Sequence, residues 1–261
     1  MTNIPFTKYH GTGNDFILID DRSEQFNIAD FRFIAGMCER HFGIGADGLI
    51  LLRHHPEADF RMIYFNADGL EGSMCGNGAR CAVAFARSLD MCDDYAQFMA
   101  FDGAHTATIT GDDISVSMSN VTGIEETAYG LFLDTGSPHI VLFVDDLDAV
   151  DVLREGRAVR YSPRFMKDGV NVNLVMERAD EIHMRTYERG VENETLSCGT
   201  GAVAVALAVA HRHGRRGEIS TAITTSGGAL RVDFVHHEAG RFEGIFLRGM
   251  AERVFTGDYH R

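Results

Sequence analysis

The chain has 261 residues, 45% of them hydrophobic and 24% charged, which suits a globular protein of one large domain or two ordinary ones. A formal net charge of −14 argues against a nucleic-acid partner, because phosphate binding needs a basic face. No apolar run approaches the ~17–25 residues that cross a bilayer, and no basic stretch followed by an apolar one opens the sequence, so no membrane association and a cytoplasmic location are expected. Five cysteines, an odd number, then point to free thiols in a reducing compartment. Neither Cys-x-x-Cys nor His-x-x-x-His occurs, so no metal site is expected. Lysine stands only at Lys8 and Lys167, neither in a recognisable lysine-cofactor context, which favours chemistry without a cofactor.

Phe6 to Asp20 reads as two extended pieces around His10-Gly-Thr-Gly-Asn-Asp15, a tight loop between strands. Asp30 is a candidate cap for a helix from Phe31 to about His41, with Phe33, Ile34, Met37 and Cys38 facing inward. Gly43-Ile-Gly-Ala-Asp-Gly48 has the spacing of a dinucleotide-binding loop, but that motif must follow a strand and open a helix. Here it follows a helix and leads into the strand Leu49 to Leu52, so the nicotinamide reading is rejected. Phe60 to Phe65 alternates as a strand and runs into the turn Asn66-Ala-Asp-Gly69. A helix beginning at Cys75 is expected to end near Met91, followed by strands at Phe98–Phe101, His105–Thr110 and Ile114–Met118.

The pattern resets around Ser119 to Glu126. Strands are expected at Leu131–Asp134 and Ile140–Val144, a short helix at Asp148–Arg157, and strands at Asn171–Met176 and Ile182–Tyr187. The run Ala202 to Ala210 is small and apolar on every side, which indicates a helix buried all round. Strands at Ile219–Thr225, Leu230–Val235, Phe242–Arg248 and Ala251–Thr256 close the chain.

Two stretches share one frame, Cys75-Gly-Asn-Gly-Ala79 and Cys198-Gly-Thr-Gly-Ala202, each opening a helix, and they lie 123 residues apart. The repeat implies two similar halves. The expected fold is α+β with two pseudo-symmetric domains, each a curved, barrel-like mixed sheet wrapped around a central helix. The halves would be residues 1–119 and 120–250, with the strand within 251–261 packing back on the first.

A thiol at a helix start meets unpaired N–H groups and the positive end of the helix dipole, which favour the thiolate and also seat a carboxylate. Two such thiols on opposite faces of one carbon remove a proton on one side and return it on the other, inverting the centre. One thiol must then be ionised and the other not, with pKa values that belong to the pair. Each cysteine taken alone is more simply a small buried hydrophobe. That reading weakens because both share a glycine-rich frame that costs helix stability. A Cys–His hydrolase using His139 or His10 remains an alternative, but it leaves one cysteine unexplained. A binding protein for amino acids is the alternative outside enzymes.

The blocks KYHGTGNDF (8–16), GIGADGL (43–49), FNADG (65–69), MCGNGARC (74–81), SPHIV (137–141), NVN (171–173), YERG (187–190) and SCGTGA (197–202) together closely resemble the diaminopimelate epimerase family. Proline-racemase-like relatives of the same fold tend to carry His where Asn77 stands; a racemase or epimerase acting on proline derivatives is the second choice. The resemblance implies a cofactor-independent epimerase that interconverts LL- and meso-2,6-diaminopimelate in lysine and peptidoglycan precursor synthesis. It makes Cys75 and Cys198 the proton-transfer groups and assigns substrate binding to Asn14, Asn66, Gly76, Asn77, Asn171, Glu188, Arg189, Gly199 and Thr200. His139 and Glu188 would support the thiols or the reacting ammonium. Arg189 suits a bidentate grip on a carboxylate in its own right. A homodimer is common in that family, though no residue of this sequence marks one. Two positions depart from many members, Ser137 where Asn precedes Pro-His and Gly48 where some carry Gln. Cys81 and Cys92 are expected to be structural, Cys81 because it lies nearly two turns into its helix.

Overall fold

The computed structural model describes residues 3–178 and 181–260, so residues 1, 2 and 261 of the two expected halves, and 179 and 180, lie outside the described residues. The chain divides into two compact units, Met1–Val116 with Gly249–Arg261, and Ser117–Arg248. In chain order the first holds β1 (Asn3–Gly11), β2 (Asn14–Asp20), α1 (Phe31–Cys38), β3 (Gly48–His55), β4 (Ala58–Asn66), α2 (Gly76–Ser88), β5 (Tyr95–Ala100), β6 (Gly103–Thr110) and β7 (Asp113–Ser117). There follow β8 (Val121–Thr122), β9 (Glu125–Thr127), β10 (Gly130–Asp134), β11 (Pro138–Phe143), α3 (Val152–Arg160), β12 (Asn171–Arg178), β13 (Glu181–Glu188), β14 (Asn193–Thr195), α4 (Gly199–Arg212), β15 (Gly217–Thr225), β16 (Gly228–His236) and β17 (Arg241–Met250). The last strand, β18 (Glu252–His260), pairs antiparallel with β1.

The two units repeat one pairing scheme. In the first, β1–β2 is antiparallel, β2–β3 parallel, β3–β4 antiparallel, β4–β5 parallel, and β5–β6 and β6–β7 antiparallel. In the second, β10–β11, β11–β12, β12–β13, β13–β15, β15–β16 and β16–β17 take the same directions in the same sequence. Even the edge recurs, since β9 pairs with β10 as β18 does with β1. Each unit is therefore a mixed sheet about one long helix, the expected two-domain α+β architecture.

In each unit the other parallel crossover carries a second, shorter helix, α1 between β2 and β3 or α3 between β11 and β12, near where helices were expected at Phe31 to about His41 and at Asp148–Arg157. In the first unit it makes the sheet a filling between two helices. Phe16, Leu18, Ile50 and Leu52 pack on the α2 side, while Ile17, Ile19, Leu49 and Leu51 join Ile34 and Met37 of α1. Burial on both faces is why these strands read as unbroken apolar runs rather than alternating ones. In the second unit Ile140, Val172 and Leu174 pack with Val152 and Val159 of α3. Helix α4 is buried from Ala202 to Ala210, as its small apolar composition requires.

Helix ends differ by a few residues from the sequence expectation. Helix α1 stops at Cys38, short of His41, because the Glu39 carboxylate takes the His41 and Phe42 N–H groups at 2.6 and 2.5 Å and Gly43 folds back against the helix. Helix α2 ends at Ser88 because Asp90 turns left-handed at φ 56°. Helix α3 begins at Val152, not Asp148, since it is Asp151 among several aspartates whose carboxylate caps the Arg154 N–H at 3.0 Å.

Candidate active site

The first half-site is built where α2 begins. Cys75 is its N-cap residue, in extended conformation (φ −117°, ψ 115°), and its sulfur accepts from the Gly78 N–H at 3.5 Å. The β1–β2 hairpin closes through Thr12 and Gly13, both at positive φ (52° and 82°), and this two-residue turn places Asn14 beside the helix start. The Cys75 thiol donates to Asn14 Oδ1 at 3.8 Å, and Asn77 Nδ2 donates to the same oxygen at 3.2 Å.

Three further layers hold that oxygen in place. Asn14 Nδ2 donates to Asp47 Oδ2 at 2.7 Å, which fixes the amide against rotation. Asp47 is bridged by Arg40 to Asp15, each contact at 2.7 Å, and Asp15 is paired with the buried Lys8 at 2.7 Å. Lys8 also donates to the Gly45 carbonyl. Burial pushes the Asp15 carboxyl up, but hydrogen bonds and charge from Arg40 and Lys8 outweigh it and bring it down to about 2. On the other side Arg80 Nη2 donates to Asn77 Oδ1 at 3.0 Å, which fixes that amide also. The sequence reading missed Lys8, Asp15, Arg40, Asp47 and Arg80. The available signals were one of only two lysines in the chain, and an arginine within an otherwise small apolar helix start.

Asn66 stands apart from this group. It ends β4, opposite Gly48 in register, with an exposed side chain that joins none of these bonds among the described residues. Gly48 is fixed by its neighbours: a Cβ there would lie 2.5 Å from the Phe65 carbonyl oxygen and 2.5 Å from the Tyr64 ring. The departure at this position is thus matched by the aromatic ring that fills the space.

The second half-site forms where α4 begins. Cys198 is the N-cap residue (φ −124°, ψ 112°), its backbone nearly that of Cys75, and it is 7% exposed. Its sulfur lies 3.6 Å from Thr200 Oγ1, which is 3.0 Å from His139 Nε2. His139 is fully buried, and burial, helped by the charge of Arg189, lowers its pKa to about 3, so the imidazole is neutral. Its Nδ1 meets Asn173 Nδ2 at 3.1 Å, and the Asn173 amide is held by the Ile140 carbonyl and the Thr186 hydroxyl. Thr135 donates to the Thr200 carbonyl at 2.9 Å. Asn173, Thr135 and Thr186 are the further residues the sequence reading did not single out.

Asn171, Glu188 and Arg189 come together at one end of β12 and β13. Asn171 Oδ1 accepts the Arg189 backbone N–H at 2.9 Å, and Glu188 accepts from Thr195 Oγ1 at 2.8 Å. The Arg189 guanidinium is parked on the Asp168 carbonyl at 2.9 Å. Ser137 is the residue before β11, whose first carbonyl, that of Pro138, accepts from Asn171 Nδ2 at 3.3 Å. A general-base pairing of His139 with Cys198 is not made directly, since Thr200 stands between them, and His10 lies 3.9 Å from Glu252 rather than on a thiol.

The remaining cysteines are inert by burial: Cys38 is pushed up to about 12, Cys92 to about 11, and Cys81 higher still. Among the described residues no group of three or more His, Cys, Asp or Glu is placed to hold a metal ion, and no helix is long and apolar enough to cross a membrane.

The sequence profile of the family described as diaminopimelate epimerase matches residues 6–123 and 131–254. The diaminopimelate epimerase of Flavobacterium psychrophilum is 48% identical over 250 residues, covering 95% of this chain and 97% of that one. That of Chlorobaculum tepidum is 42% identical over 261 residues, covering 95% and 98%. Among solved structures, a PhzF-family phenazine biosynthesis protein of Bacillus anthracis superposes with a TM-score of 0.81 at 14% identity over 100% of both chains. A hydroxyproline epimerase from Agrobacterium vitis superposes with a TM-score of 0.69 at 14% identity, over 98% and 92%. At such identity these two likenesses concern the fold.

Proposed function

The chain belongs to the diaminopimelate epimerase family, and from that membership we propose the roles of its residues in the reaction. The reaction is interconversion of LL- and meso-2,6-diaminopimelate by proton exchange at one α-carbon, without a cofactor. One thiolate takes the α-proton and becomes a thiol; the other thiol delivers its proton to the opposite face and becomes the thiolate. Cys75 and Cys198 are these two groups. The observation that carries this assignment is that both are N-caps, in the same conformation, of the two helices related by the internal repeat.

The helix starts also supply the remaining stabilisation. Main-chain N–H groups at Gly76-Asn77 and Gly199-Thr200 seat the carboxylate next to the reacting carbon, where carbanion charge develops. Asn14 and Asn77 orient Cys75, while Thr200, backed by His139, orients Cys198. Asn66, Asn171, Glu188 and Arg189 hold the substrate, Arg189 by forking onto a carboxylate and Glu188 by accepting from an ammonium. This activity belongs to lysine and peptidoglycan precursor synthesis, and a cytoplasmic location and a homodimer go with the reading.

The test is proton NMR of the purified protein with LL-diaminopimelate in D₂O, beside a proline control. Deuterium enters one α-carbon as the meso isomer forms. Exchange into the proline compound alone would move the chain to the second-choice activity, and no exchange into either would leave a binding protein. Cys75→Ala and Cys198→Ala each abolish epimerisation, at least ~10³-fold, with circular dichroism unchanged. Full activity in either variant would rule out the two-thiol scheme.

A further inference from the structure

Arg80 is the largest fully buried side chain of the molecule, and no carboxylate among the described residues lies within ion-pair distance of it. Its guanidinium is met by neutral acceptors: Asn77 Oδ1 at 3.0 Å, the Gly76 carbonyl at 3.3 Å, Thr12 Oγ1 at 3.4 Å and the Met250 carbonyl at 3.5 Å. A buried cation surrounded only by dipoles is costly unless a negative charge accompanies it. The Gly76 and Asn77 contacts place this cation along the first turn of α2, the turn that Cys75 caps, close enough for Cys75 and Arg80 to act on each other electrostatically. Space for it is made by Gly11, where a Cβ would lie 3.2 Å from Arg80 Nη2.

The other charges around Cys75 largely cancel. Asp15 and Asp47 face it through Asn14, and they are matched by Lys8 and Arg40. Cys81, next along the helix, stays protonated, because burial raises its pKa and the nearby Arg80 charge only partly offsets this. Asp113 acts on Arg80 more weakly than either Cys81 or Cys75. Asn14 Oδ1 accepts from the neutral thiol at 3.8 Å, a single long contact that a full buried charge outweighs. The repeat sharpens the contrast, because the residue 123 positions on, in the other cysteine's helix, is the buried Val203.

We infer that Arg80 is a positioning residue for the reaction: it clamps the Gly76-Asn77 turn and supplies the buried positive charge that makes Cys75 a thiolate, an arrangement the Cys198 helix does not share. The inference builds on the acid/base reading of Cys75, but the property it concerns, the ionisation of one thiol, is measured without turnover.

The experiment follows the pH dependence of iodoacetamide alkylation at Cys75, mapped by mass spectrometry, in the Cys198→Ala protein. Cys75 titrates at least about one unit below the ordinary thiol value of about 8.5. Arg80→Gln keeps a donor to Asn77 but removes the charge, and it raises the Cys75 titration by about one unit or more. Arg80→Lys keeps the charge and leaves the titration within about half a unit. A Cys75 titration at or above the ordinary value with Arg80 intact overturns the inference, and so does an Arg80→Gln protein that titrates where Arg80 does. The first of these outcomes needs no Arg80 variant to fold. If the thiol behaves as stated while no exchange into diaminopimelate occurs, the proposed function fails and the inference stands.

Discussion

Asn173 holds His139 in one tautomer. The Asn173 Nδ2 group donates to the Ile140 carbonyl at 3.1 Å and the Thr186 hydroxyl donates to Asn173 Oδ1 at 3.0 Å, so the amide cannot be reversed. His139 Nδ1, 3.1 Å from that Nδ2, is therefore the acceptor and carries no proton. The ring proton sits on Nε2 and is donated to Thr200 Oγ1 at 3.0 Å, which leaves the Thr200 hydroxyl proton for the Cys198 sulfur 3.6 Å away. The chain of donors runs one way, from the sheet toward the sulfur.

A neutral, buried His139 makes stability depend on pH with a definite sign. Its folded pKa is about 3, against about 6.5 in an unfolded chain. Between these values the unfolded state binds the extra proton, so the contribution is complete above about 6.5 and is lost as pH falls toward 3. At pH 4.5 the loss is about 2–3 kcal/mol. Asp15, whose carboxyl is held at about 2, adds its own loss only below about 4. Urea unfolding at pH 7.5 and 4.5 reads the difference directly. The wild-type chain loses this increment and His139→Gln does not; equal losses in both would mean that folding does not lower the His139 pKa.

The glycines of the two cysteine frames carry unequal loads. A Cβ at Gly201 would stand 2.5 Å from Asn173 Oδ1 and 3.2 Å from the Cys198 sulfur, so Gly201→Ala strikes the amide that orients His139. At Gly78 the nearest atom is the flexible Ile50 Cδ1, at 3.1 Å. Gly201→Ala is expected to lower kcat/KM by ~10²-fold or more, because a displacement of about 1 Å at reacting groups has that effect. Gly78→Ala stays within about tenfold. Steady-state kinetics of the two variants, with thermal melts to check folding, decide the point, and equal losses would contradict it.

The legible part of this protein was what repeats or alternates. The Cys-Gly-x-Gly-Ala frame exposed the two halves, and the small apolar run Ala202–Ala210 exposed a fully buried helix. What stayed hidden was long-range or local in competition. Asp47 reaches Asn14 across 33 residues, and no pattern in GIGADG signals that its aspartate anchors an amide elsewhere. The helix expected from Asp148 starts three residues later, because the carboxylate that caps it is that of Asp151. Helices α1 and α3 were expected but with other ends: they are short, eight and nine residues, and they draw stability from the sheet rather than from their own sequences.

Breaking the Lys8–Asp15 pair from one side leaves a buried ammonium without its counterion. Asp15→Ala is expected to cost about 3–5 kcal/mol, since Lys8 is 7% and Asp15 18% exposed and the lost charge is not replaced by water. Removing both charges together, Lys8→Met with Asp15→Leu, recovers most of that loss. Activity does not return with stability, because Arg40 and Asp47 no longer sit where they hold Asn14. Urea melts and kcat/KM measured on the same three proteins separate the two effects; recovery of activity in the double variant would show that Asn14 needs no such anchor.

Glutamine at position 48 tests whether a side chain borne by some relatives can be restored. Here β3 pairs Gly48 with Asn66, and any Cβ at 48 meets the Phe65 carbonyl and the Tyr64 ring, both at 2.5 Å. One obstacle is a side chain and the other is backbone. Gly48→Gln is expected to destabilise the chain by about 2 kcal/mol or more, as overpacking of a closed site does. Adding Tyr64→Ala removes the ring but not the carbonyl, so stability is not regained, and thermal melts of the single and double variants show it. A Gly48→Gln protein that melts with the wild type would mean that both the Phe65 backbone and the Tyr64 ring give way, and that this site is not closed to a side chain.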